Sequence, residues 1–108
     1  MRILLAITKS SYPANLLSLI RLFIRTCFEK QHVVSMYFLG DGVYALRLFE
    51  DLIDEGGPEL IEVFVRKEDA EARGLTRFIR TNRVRFPEDF MRHLVTSVME
   101  RADKVVFL

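Results

Sequence analysis

The chain has 108 residues, half of them hydrophobic and 29% charged, with 16 basic against 15 acidic side chains and a formal net charge of +1. That length holds one domain, residues 1–108, with a core near the small end of the range, and the balanced charge argues against wholesale attraction to nucleic acid or anionic membranes. No window reaches the roughly 18 apolar residues of a membrane span. Met1-Arg2 runs straight into strand-like sequence without a signal-peptide pattern, so the cytoplasm is the expected compartment.

The first predicted strand is Ile3 to Ile7, followed by the polar turn Thr8 to Tyr12. Pro13 suits the first turn of a helix, because it has no N–H to leave unpaired, and Ser10 or Ser11 is a candidate cap. The spacing of Leu16, Leu17, Ile20, Phe23, Ile24, Cys27 and Phe28 predicts a helix over 14–30. Leu19 and Leu22 widen its stripe beyond what one sheet face demands, enough to touch another subunit.

Val33 to Leu39 is free of charge and closed by Gly40-Asp41-Gly42, which reads as a strand buried on both faces and then a tight loop. Val43 to Ile53 carries helical spacing that stops at Gly56-Gly57-Pro58. Leu60 to Val65 is a third strand. Arg66 to Arg73 reads as a short exposed helix, and 75–86 as either a short strand near Arg77 to Arg80 or an arginine-rich loop. Pro87 opens a last helix over Glu88 to Arg101, and Lys104 to Phe107 closes the chain as a strand. Strands alternating with helices imply parallel pairing and a layered α/β domain.

Charge is unevenly spread. Nine carboxylates lie between Glu50 and Glu71, whereas 73–85 holds five arginines and no acid. That asymmetry reads either as an anion or partner site or as two solvated faces that complement each other. The lone Cys27 excludes an internal disulfide or a cysteine-based metal cluster, and its place deep in a helical stripe suggests a core filler over a reactive thiol. His32 and His93 are too isolated to suggest zinc, so neither metal nor cofactor is expected.

Met1-Arg2 through the loop at 8–12, Gln31-His32-Val33, the run Tyr37-Phe38-Leu39-Gly40-Asp41-Gly42-Val43-Tyr44, Ala72-Arg73-Gly74-Leu75, and Ala102-Asp103-Lys104-Val105-Val106 belong together as a pattern. As a set these stretches resemble the DsrE/DsrF/TusD-like family of small sulfur-relay proteins. The resemblance implies a three-layer flavodoxin-like fold, a mainly parallel sheet of four to five strands flanked by helices. It also implies assembly into trimers or hexamers and, in active members, a persulfide-carrying cysteine after the third strand. This chain has no cysteine around Phe64, Val65 and Arg66. Neither a hydroxyl nor a guanidinium can hold and release sulfane sulfur, so the transfer reaction does not carry over and no catalytic residue is assigned.

In open parallel sheets ligands bind beyond the C-terminal strand edge where strand order reverses. A 2-1-3-4 order would put that reversal between strands one and three. Thr8, Lys9, Ser10, Ser11 and Tyr12 would then face Arg66 and Lys67, with Asp41 orienting a small anion or pairing with Lys9. The same residues also read as a capped helix and a solvated loop. No phosphate-loop pattern supports tight nucleotide binding, and no base neighbours either serine.

The leading expectation is a non-catalytic subunit that forms homo-oligomers or joins a cysteine-bearing relative. The alternatives are a sulfur carrier using Cys27, and an anion or RNA binder using Arg73, Arg77, Arg80, Arg83 and Arg85 with Phe78 and Phe86 interleaved as stacking platforms.

Overall fold

A computed structural model describes residues 1–79 and 82–108. In chain order it contains β1 (Arg2–Ile7), α1 (Ala14–Glu29), β2 (Val33–Phe38), a 3₁₀ segment (Gly40–Phe49), α2 (Glu50–Leu60), β3 (Ile61–Val65) and α3 (Lys67–Ala72). A short 3₁₀ turn (Thr76–Phe78), β4 (Val84–Arg85), α4 (Phe90–Thr96), a π turn (Ser97–Arg101) and β5 (Lys104–Phe107) complete it. The five strands are all parallel, in the order β4-β3-β2-β1-β5. The domain is therefore a three-layer α/β fold of the flavodoxin-like kind in its layering.

The strand order differs from the expected 2-1-3-4. Each step from β1 to β4 moves the same way across the sheet, and right-handed crossovers put α1, α2 and α3 on one face. The last connection jumps back over the sheet to β5, and the same handedness puts α4 on the opposite face.

Period-two alternation divides the side chains between those faces. Ile3, Leu5, Ile7, Val34, Met36, Phe38, Ile61, Val63, Val65 and Val84 point under α1 and α2, where Ile20, Ile24, Phe28, Phe49, Leu52 and Ile53 meet them. Leu4, Ala6, Tyr37 and Phe64 point the other way, against Phe90 and Leu94 of α4. β2 is buried on both faces as its sequence required, with Val34 to Phe38 all inaccessible or nearly so.

Local chemistry accounts for most boundaries. Gly57 adopts φ 69°, and with Pro58 it interrupts α2 where the glycine pair predicted a stop. Between Gly40 and Phe49 the segment forms a 3₁₀ helix and not the α-helix its spacing suggested. At Gly42 a Cβ would lie 1.9 Å from the carbonyl oxygen of Ile7, so this turn packs on the β1 backbone and only glycine fits. In the span left open at 75–86, the strand is at Val84–Arg85 and a 3₁₀ turn occupies Thr76–Phe78. Asp89 caps α4 by accepting the amide of Arg92 at 3.2 Å. Neither Ser10 nor Ser11 caps α1, whose first turn has no side-chain cap.

Candidate functional site

Because β2 separates β1 from β3, the expected meeting of the 8–12 loop with Arg66 and Lys67 does not occur at adjacent strands; two strand spacings, about 10 Å, lie between them. The order reverses instead between β1 and β5, and that crevice is closed by hydrogen bonds. The Thr8 amide and hydroxyl both donate to the Leu108 carbonyl, at 3.0 and 2.8 Å.

Asp41 pairs with Arg73, which donates from Nε and Nη2 at 3.2 and 3.0 Å, and not with Lys9. Arg73 also reaches the Asp69 carbonyl at 3.0 Å and lies 6.0 Å from the centre of the Tyr44 ring. Asp69 in turn accepts the Gly40 amide at 2.7 Å and sits 3.4 Å from Arg66, which is also paired with Glu68. Lys67 is 3.9 Å from Glu71. These ion pairs tie the β2 turn to α3, and they occupy most of the cations assigned to an anion.

Tyr12 belongs to the core, and its hydroxyl is buried without a hydrogen-bond partner. Burial pushes its pKa up; the nearby Lys9 amide opposes this, although it lies outside hydrogen-bonding geometry. Among the eight rim residues, Lys9, Ser10 and Ser11 have exposed side chains with no bonded partner among the described residues.

The arginines of 73–85 do not form one surface. Arg73 is held by Asp41, and Arg83 donates to the Ile53 carbonyl at 2.9 Å on the α2 side. Arg85 is in register with Phe64 and so lies on the α4 face, while Arg77 is exposed on its 3₁₀ turn. Arg80 and the side chain of Phe78 fall outside the described residues. Cys27 is 5% exposed between α1 and the sheet, and burial raises its pKa, which disfavours the thiolate that sulfur chemistry requires.

Two further features stand out. One is an apolar groove of about 300 Å³ between α1 and β5, lined by Leu5, Leu16, Leu19, Ile20, Phe23, Val106 and Leu108. Leu19 is 62% exposed there and Phe107, on the other side of β5, is 63% exposed. The breadth of the helix stripe had signalled the α1 half of this surface.

The other is a polar cluster under α4. The Tyr37 hydroxyl is 2.7 Å from Nδ1 of His93 and 2.6 Å from Oγ of Ser97. The His93 ring lies 4.5 Å from Phe64 and 5.6 Å from Tyr37, centre to centre. Toward the start of the strands, Glu62 accepts from Arg2 at 2.7 Å and from Ser35 at 2.9 Å. Nothing local in the sequence marks this cluster as a site, because its members are 56 and 60 residues apart.

The architecture can be matched to a known one. The chain has the YchN fold. The crystal structure of YchN protein from E. coli aligns with a TM-score of 0.64 over 100% of this chain and 99% of that chain, at 15% sequence identity. The likeness is one of fold. By sequence the chain matches no protein-family profile and no curated protein.

Proposed function

We propose that this chain is a non-catalytic, oligomer-forming subunit of the DsrE-like class, related to intracellular sulfur transfer, that acts by assembling with copies of itself or with a cysteine-bearing relative. The observation that carries this reading is the apolar surface around β5. An edge strand offers unpaired backbone groups. Here it is flanked on one side by the groove of Leu19, Phe23 and Val106 and on the other by the exposed Phe107. Apolar side chains of this size each gain about 1.5–3 kcal/mol on full burial, which favours covering such a surface. The YchN-like fold and the absence of a thiol beyond Cys27 support the same reading.

Sedimentation velocity tests it. The unmodified chain is expected to run as a trimer or hexamer, and Leu19→Asp with Phe23→Asp is expected to dissociate it while the far-ultraviolet circular dichroism stays unchanged. A unmodified chain that remains monomeric at high concentration overturns the proposal. In parallel, mass spectrometry after exposure to a persulfide donor is expected to leave Cys27 without added sulfur.

A further inference from the structure

The face opposite α1 holds an open cleft of about 240 Å³ alongside α4, lined by Asp89, Arg92, His93, Thr96, Ser97 and Arg101. Nothing in the assembly reading uses it. Its size falls below the range of about 300–1,000 Å³ typical of sites for drug-sized ligands, which selects a small occupant.

Its charge selects the sign. The guanidinium groups of Arg92 and Arg101 have no acidic partner among the described residues. The cleft's one carboxylate, Asp89, is engaged in capping the helix. Glu62, the acid whose field reaches His93 from β3, is already held by Arg2 and Ser35.

The neutral groups are prearranged as well. Ser97 opens a π turn, closed by the Ala102 amide donating to the Ser97 carbonyl at 2.8 Å. Turns of this kind are rare and concentrate at functional sites. This one keeps Arg101 on the side of the helix that carries His93 and Ser97. Tyr37, itself fully buried, occupies Nδ1 of His93, so Nε2 is the ring nitrogen left for the cleft. The contacts permit a neutral His93 in which Ser97 donates to Tyr37, Tyr37 donates to Nδ1 and Nε2 carries the hydrogen; with His93 protonated the chain of donors reverses without breaking. The Tyr37 hydroxyl also stands between Ser97 and His93, which argues for binding and against a serine nucleophile.

We infer that this cleft binds a small tetrahedral oxyanion, free or as the phosphoryl group of a small metabolite, through Arg92, Arg101, the Thr96 hydroxyl and His93. Charge-assisted bonds to guanidinium are the strong kind available here. Binding is also coupled to a proton. Burial first, then Arg101 and Arg85, hold the His93 pKa below its ordinary value against the opposing pull of Glu62. Of the other groups facing this cluster, burial raises the Tyr37 pKa, so that hydroxyl keeps its proton, and Arg2 and Arg92 contribute cationic side chains. A bound anion therefore favours protonation of His93.

Isothermal titration of the full chain with sulfate, which does not titrate in this range, provides the test, with the His93 ring followed by NMR. Saturable binding with a Kd on the order of 1 mM is expected. The affinity should rise as pH falls into the range where His93 takes up its proton, which burial and the neighbouring arginines place below the ordinary histidine value. Arg101→Met should weaken binding about tenfold with Tm unchanged, and Arg92→Met should act in the same direction. His93→Gln keeps a donor but cannot be protonated, so it should still bind and lose the pH dependence. Comparing inorganic phosphate with glycerol 3-phosphate identifies the source: tighter binding of the ester assigns a carried phosphoryl group, and equal or weaker binding assigns the free ion. Non-saturating titrations with all three probes, Arg101→Met binding like the unmodified chain, or His93→Gln keeping the pH slope overturns the inference.

Discussion

The two faces of the sheet solve the problem of burial differently. Under α1, α2 and α3 the strands present Ile, Leu, Val, Met and Phe from edge to edge, and among the described residues the one buried side-chain polar atom left without a partner is the Tyr12 hydroxyl. Under α4 a seven-residue helix and its π turn must cover the same five strands. That face keeps a small apolar cluster and fills the remainder with Arg2, Ser35, Glu62, the Tyr37 hydroxyl and Arg85. Parallel sheets are normally covered on both sides. Where cover is thin, polar groups that find partners take the place of a second helix, and the opening beside α4 is lined by charged and polar side chains, whereas the groove beside α1 is apolar throughout.

The sharpest way to break this contrast is to open a hole in the apolar face. Phe49 is fully buried and packs on Phe38 with ring centres 6.3 Å apart, so Phe49→Ala should cost about 3–5 kcal/mol by urea unfolding. The polar face should respond less but more specifically. Tyr37→Phe removes one hydroxyl and strands both Ser97 and His93, for an expected loss of about 1–3 kcal/mol with the aromatic stack on Phe64 intact.

The smallest effect is one of pH. Because the folded His93 binds its proton less readily than the unfolded chain does, its contribution to stability is complete above the ordinary histidine pKa and declines as pH falls below it. Thermal melts of His93→Gln should therefore lose less between neutral and mildly acidic pH than those of the unmodified chain. An equal loss in both would mean that His93 is not desolvated by its neighbours.

Strand positions were legible because their signal is local. Ile3 to Ile7, Leu60 to Val65 and Lys104 to Phe107 are short β-branched runs between helical periods, and each appears within a residue of its expected bounds. The helices over 14–29 and from Phe90 onward followed from apolar spacing in the same way. Strand order was not legible, since nothing in Val33 to Leu39 says which neighbours it takes. The misplaced reversal point carried the rim site with it: Asp41 faces Arg73, and Thr8 bonds Leu108. The α4 cluster was hidden for a related reason. His93 looks isolated along the chain, and only the crossover that carries α4 over β2 and β3 gives it Tyr37 and Phe64 as neighbours.

The pairing of β1 with β5 joins residues far apart along the chain, with Thr8 and Leu108 separated by 100 positions. During synthesis, β1 through β4 and their helices can dock in sequence, whereas β1 must wait for its second neighbour until residues 104–107 emerge. Closing so long a loop is slow, and meanwhile the flank of β1 is an open template for strands of other nascent chains. The strand at 104–107 thus decides whether the sheet is finished within one molecule or between several.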